Sequence, residues 1–245
     1  MQEATRSGSA GRRRPPATGA PGLVLYFAPG ARPDPAALAA GASGFALAPD
    51  AGAAGAPVEL RAAGLPFAAL GLAPGPAAQA VAPRHGFALA LPQLARTEPV
   101  RVVPLVDPPP AAVLRVLAGL GCALADWPGL VALGWEAAGT AMAPDYVRRM
   151  VGAWLDGGAF PGLGLAALVR EGGLLRSDGL IAWLGHEIAL HPAAGETPAA
   201  TARRALRAMH GLVEGECTAT TVGPYLGDSG LGGAFSADGR LLTLG

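Results

Sequence analysis

The side chains with the most chemical potential gather in one stretch, SDGLIAWLGHEI, running from Ser177 to Ile188. A serine, a histidine and a carboxylate this close suggest a hydrolase. In that reading His186 and Glu187 act with Ser177 as nucleophile or with an activated water. The same stretch carries the sequence's two isoleucines, Ile181 and Ile188, with Trp183 and the glycines Gly179 and Gly185. Those residues suggest architecture. Gly179 and Gly185 suit turns where a side chain would clash. Leu180, Ile181, Trp183 and Leu184 would cover a core edge, and Glu187 and Ile188 would begin a strand. We expect architecture to prevail, and a buried Glu187 to be paired with an arginine, because an unpaired buried carboxylate is costly.

The neighbouring motifs do not complete a catalyst. His186 and His191 lie five positions apart, whereas a zinc-protease helix places its histidines four apart on one face. At 100° per residue the pair would diverge by about 140° on a helix, and on a strand they would face opposite ways. No third ligand is evident, so we expect no metal and no cofactor. Gly227-Asp228-Ser229-Gly230 is similar to a serine-protease nucleophile segment but lacks the rest of that constellation and reads as loop composition. Gly162-Leu163-Gly164 lacks the later glycine of a dinucleotide fingerprint. His210 flanks an apolar helical stripe, Cys122 reads as an inert buried thiol, and His85 beside Arg84 has no evident partner. Glu214 and Glu216 sit at a helix end, and Asp145 suits the start of another.

The elements that must position these residues are legible in part. A helix is expected over about Ala111–Ala125, after Pro108-Pro109-Pro110, apolar around much of its circumference and so buried on more than one side. A second begins at Pro144, with Val147, Met150, Val151, Trp154 and Leu155 at helical spacing, and ends at Gly157-Gly158. A third has Thr197 as N-cap and Pro198 at its first position. Its inner stripe is Ala202, Ala205, Leu206, Met209 and Val213, opposed by Arg203, Arg204 and Arg207. Strands are expected over 23–28, 45–48, 58–61, 67–72, 87–91, 100–106, 130–135, 163–170 and 187–190, with a short helix over 35–41. The pattern predicts an α+β fold with mainly antiparallel or mixed sheets and three main helices packed on one face, an arrangement open to two ferredoxin-like halves.

Composition narrows the class of protein. Half of the 245 residues are apolar, enough for a sizeable core. The eighteen basic residues are all arginine, so Schiff-base lysines, Walker-type phosphate loops and Ser-Lys dyads are excluded. Zero net charge argues against nucleic acid as a partner. No apolar run is long enough to predict a membrane span. Two cysteines are too few for a disulfide framework, which points to a cytoplasmic protein. We expect residues 1–21, with Arg12-Arg13-Arg14, to be a disordered leader. A strand-rich first half over 22–107 and an α+β second half over 108–245 would then form one compact unit.

Residues 111–223 resemble an uncharacterised bacterial family, one of the domains of unknown function. The matching positions are Trp135, Ala138-Gly139, Pro144, Val169-Arg170-Glu171, Gly179-Leu180 and Gly185-His186-Glu187-Ile188. The family's Thr-Arg before Gly-Leu is Ser177-Asp178 here. The resemblance implies an α+β fold and no particular reaction. The leading expectation is a non-enzymatic cytoplasmic binding or accessory domain that meets a protein partner through an apolar or mixed face. The hydrolase above is the alternative, and a small-ligand pocket between the halves is a third reading.

Overall fold

The computed structural model describes residues 21–41, 45–47, 55–106, 109–226 and 233–244. Residues 1–20 of the expected 1–21 leader and the Gly227–Gly230 tetrapeptide lie outside the described residues. In chain order, β1 (Leu23–Phe27), α1 (Pro35–Gly41), β2 (Phe45–Leu47), β3 (Val58–Ala62), β4 (Leu65–Leu70), β5 (His85–Phe87) and β6 (Glu98–Pro104) precede the long helix α2 (Ala111–Leu124). Then come β7 (Leu130–Trp135), β8 (Thr140–Met142), α3 (Pro144–Leu155), β9 (Ala167–Glu171), β10 (Leu174–Asp178), α4 (Ile181–Leu184) and β11 (Glu187–Leu190). The chain continues through α5 (Pro198–Val213), α6 (Gly223–Leu226), β12 (Gly233–Phe235) and β13 (Leu241–Leu244).

Two mixed sheets result, so the fold is α+β, and its three long helices are α2, α3 and α5. The first sheet has the order β2-β3-β4-β6-β1-β7-β8-β5 and the second β12-β13-β11-β10-β9, an arrangement that fits two ferredoxin-like units. Neighbours are antiparallel except β5 with β8 and β11 with β13. Strands β7 and β8, although downstream of residue 108, complete the first sheet, which therefore extends to Met142.

The centre of the first sheet follows from its sequence. All five residues of LVLYF in β1 are buried, because both faces of this strand are covered. Leu23, Leu25 and Phe27 face the main core, while Val24 and Tyr26 form a small second cluster with Ala132 under Ala80, Leu89 and Leu94. Helix α2 starts just after Pro110, whose extended backbone precedes it as the N-cap, and lies against β1, β6 and α3. That placement accounts for its apolar circumference. Helix α5 packs on β10 and β11, and one continuous core joins the helices to both sheets.

Several sequence expectations need correction. Arg204 does not oppose the inner stripe of α5. It is 7% exposed, beside buried Thr201, Ala205 and Ala208, with its guanidinium 2.7 Å from Glu196 and donating to the His191 carbonyl. A buried arginine persists here because both its charge and its donors are met. Met150 is 37% exposed, because it sits roughly 65° around α3 from the stripe centred on Val147, Val151 and Trp154. The expected strand over 87–91 is instead His85–Phe87; Ala88, at φ +54°, turns the chain into a 3-10 helix over Leu91–Arg96. The strand expected over 163–170 begins only at Ala167, since Gly164 takes φ +132°. No helix of the described residues is long and apolar enough to cross a membrane.

Candidate functional site

The Ser177–Ile188 stretch links β10 to β11 through the single turn of α4. Glu187, 6% exposed, folds its side chain back over that turn. Its oxygens accept from the backbone N–H groups of Gly179 (2.8 Å), Leu180 (3.1 Å) and Ile181 (3.2 Å) and from the Ser177 hydroxyl. Ser177 Oγ in turn accepts from Ile188 N at 2.8 Å, continuing the β10–β11 ladder where Leu175 pairs with Leu190 and Arg176 with Ala189. Glu187 is therefore buried without an arginine. The N–H groups leading into α4, from Gly179 to Ile181, take the place of a counter-charge.

This stretch also docks the second sheet on the first. A Cβ at Gly179 would stand 2.4 Å from Ala138 Cα, so only glycine lets the turn approach the end of β7. Leu180 is fully buried, and Trp183 stacks on Trp135 at 5.7 Å while donating from Nε1 to the Leu165 carbonyl. Ile181 differs from the expectation: at 38% exposure it faces solvent at the start of the turn. Gly185, at φ +81°, has open space around its missing side chain. Its substitution thus costs backbone strain alone. Gly185→Ala is expected to lower stability by about 1–2 kcal/mol. Gly179→Ala adds a backbone collision and should cost more. Chemical-denaturation midpoints of the two variants check this order.

Ser177 and Glu187 are brought together; His186 is not. The His186 ring meets the edge of Phe235 at 4.9 Å, and its buried Nε2 has no hydrogen-bond partner among the described residues. Ser177 is 1% exposed, with its proton and one lone pair already engaged. Burial pushes the His186 imidazole below its usual 6.5, against opposing pulls from the Leu184 backbone and Glu187. A depressed histidine stabilises the fold above its unfolded value and loses that contribution as pH falls through the folded one. His186→Gln should therefore melt like the parent at pH 8 and lose less stability on acidification below 6.5. Equal pH slopes in thermal melts would exclude this role.

The remaining candidates are placed elsewhere. His85 starts β5 with Nε2 3.6 Å from Asp178 Oδ2, whose other neighbour is Arg84 at 2.6 Å; the cluster ties the edge of the first sheet to β10. Cys122 points at the Val147 carbonyl, and burial pushes its thiol up to about 11, so it stays protonated at neutral pH. Glu214 accepts from Trp154 Nε1 and from Arg115. Glu216 accepts from the Tyr225 hydroxyl. Among the described residues no group of three His, Cys, Asp or Glu side chains could hold a metal ion.

An open groove of about 270 Å³ lies between α3 and α5, and no motif announces it. Phe160, Pro161 and Leu163 of the connecting loop form its floor, with Tyr146 and Met150 on one wall and Leu206, Arg207 and His210 on the other. The floor is fixed by the Tyr146 hydroxyl donating to the Leu163 carbonyl (2.6 Å) and by Phe160 N donating to His210 Nδ1 (3.2 Å). Two other hollows have volumes near 10 Å³, too small for a side chain. The available hint was Met150 at the margin of its stripe, which reads equally well as core.

No family model, curated protein or solved structure matches the chain. No family model supports the resemblance expected over residues 111–223.

Proposed function

We propose that the protein is a non-enzymatic cytoplasmic binding or accessory domain that holds a protein partner in the α3–α5 groove. One observation carries the reading: an apolar floor lies open between two rigid helices, with Met150 exposed on its wall. Grooves between helices commonly receive a side chain or an amphipathic segment of a partner, and methionine adapts to varied apolar surfaces. The Ser177–Ile188 stretch serves this function indirectly, by fixing the second sheet and the α5 that packs on it.

The test is affinity capture from host extract with the parent protein and with Ala159→Trp. Ala159 lines the groove and is exposed, so a large ring there fills the space without entering the core. The expected result is a partner retained by the parent and lost by a variant with the same melting temperature. Retention of the same proteins by both would overturn the proposal.

A further inference from the structure

The groove carries a charge pattern that specifies its occupant. On α5, Arg203, Arg207 and His210 fall on one stripe, since residues three, four and seven apart share a helix face. On α3, Arg149 stands one turn from Tyr146, close enough for its charge to favour ionisation of that phenol, though burial dominates and holds the phenol above its usual value. Arg149, Arg203 and Arg207 are all exposed. Most described arginines stand against carboxylates, as Arg32 does against Glu98 (2.8 Å) and Arg101 against Glu136 (2.7 Å). Among the described residues, these three have no carboxylate at ion-pair distance, a state shared with Arg96, Arg170 and Arg240 elsewhere. Among the described residues Arg207 is held only through Nε, which donates to the Tyr225 carbonyl at 3.3 Å. Glu216, 3.7 Å from Nε2 of the lining His210, is engaged by the Tyr225 hydroxyl. Of the three, Arg207 lines the groove beside His210, while Arg203 and Arg149 stand one helical turn from the lining residues Leu206 and Tyr146, so positive charge borders the apolar floor in a chain with zero net charge.

Size narrows the occupant further. At about 270 Å³ the groove falls just under the roughly 300–1,000 Å³ of small-molecule sites. That volume suits one large apolar side chain better than a whole buried ligand. We infer that the partner presents an acidic amphipathic segment, which inserts one aromatic or branched apolar side chain between α3 and α5 and sets its carboxylates against Arg149, Arg203 and Arg207. Arginine forks bind carboxylates two bonds at a time, which gives the rim orientation as well as charge. This inference rests on the binding reading above.

The experiment measures fluorescence anisotropy of three labelled synthetic peptides with the full chain. One has leucines and a tryptophan on one helical face and glutamates elsewhere; the second replaces the glutamates by lysines; the third keeps the glutamates and replaces the apolar face by alanine and serine. The first should bind, more weakly as salt rises, and each of the others at least about tenfold more weakly. The double variant Arg149→Glu/Arg203→Glu, whose parent side chains make no hydrogen bonds among the described residues, should prefer the lysine peptide. Met150→Glu should abolish binding of the first peptide while melting like the parent.

If both amphipathic peptides bind equally and Met150→Glu abolishes both, the groove reading stands and the acidic partner is overturned. If the acidic peptide binds and Met150→Glu has no effect, the site lies elsewhere and both fall. If no peptide binds, the acidic segment is rejected, and the capture experiment with Ala159→Trp decides the groove reading separately.

Discussion

Trp154→Ala should cost about 3–5 kcal/mol of stability, the range for a large aromatic truncated in a packed core. Trp154 is 1% exposed and sits edge-on to Phe160 (5.5 Å) and Trp183 (5.6 Å), at the centre of the contact between α3 and the docking turn. Its Nε1 donates to Glu214 at 2.6 Å, and the Arg115 guanidinium lies 4.3 Å above its ring. Truncation thus opens a cavity and leaves Glu214 short of a donor. Arg148, bridged at the surface to Asp126 and Asp145, supplies the contrast: Arg148→Ala should melt close to the parent. Trp154→Phe separates packing from hydrogen bonding. Burial raises the Glu214 carboxyl, but the bonds from Trp154 and Arg115 outweigh it and hold the group below its usual 4.5. A depressed carboxyl stabilises the fold above its unfolded value, and that share is lost as pH falls through the folded one. Trp154→Phe should accordingly show a smaller loss of stability below pH 4.5 than the parent. Urea midpoints across pH give both readings, and a Trp154→Ala midpoint near that of Arg148→Ala would refute the facing of α3.

Glu187→Ala should cost on the order of 4 kcal/mol, since a bond to a carboxylate contributes about 1.5–3 kcal/mol and several donors lose their acceptor at once. Three backbone N–H groups and the Ser177 hydroxyl converge on this side chain. Glu187→Gln keeps the shape but turns an amide N–H₂ toward donors, so an intermediate loss is expected. Ser177→Ala removes one contact to Glu187 and the acceptor of Ile188 N, and should cost less than Glu187→Ala. A hydrolase would give the reverse pattern: Glu187→Gln would fold normally and lose its cellular function. Melting curves paired with complementation of a deletion strain separate the two outcomes.

The long elements were readable because local chemistry and burial agree. Thr197 and Pro198 mark the start of α5, with Thr197 accepting from Ala200 N as a cap should, and β7 and β11 occupy the expected residues. The failures have physical reasons. Thr140–Met142, a strand of three residues, carries no period to read, and its place depends on pairing with Trp135 and His85. The strand Leu174–Asp178 holds two charged residues on its outer face and was hidden by the glycines before and after it. The buried orientation of Arg204 depends on Glu196, eight residues earlier across a turn, which no helical wheel includes. In the Ser177–Ile188 stretch, glycine identity pointed to architecture, but the acceptor role of Glu187 depends on α4, too short to be seen as a helix. The groove was least legible, because its walls come from helices more than forty residues apart in sequence.

The order of strands in the second sheet has a consequence for the chain during its synthesis. Strand β13 lies between β12 and β11, and the Arg240 carbonyl accepts from Glu187 N at 2.8 Å. When β11 emerges from the ribosome, one of its edges can pair with β10 at once, while the other must wait for residues 241–244. About fifty residues separate the two, roughly 3–10 s of translation at the usual 5–20 residues per second. Through that interval a nascent strand destined for complete burial presents unpaired backbone groups, the kind of edge that recruits other chains. Slow translation or a sudden rise in expression should therefore expose this protein to aggregation from β11, and a nascent-chain holdase that shields an extended apolar segment should raise its soluble yield more than one acting after release.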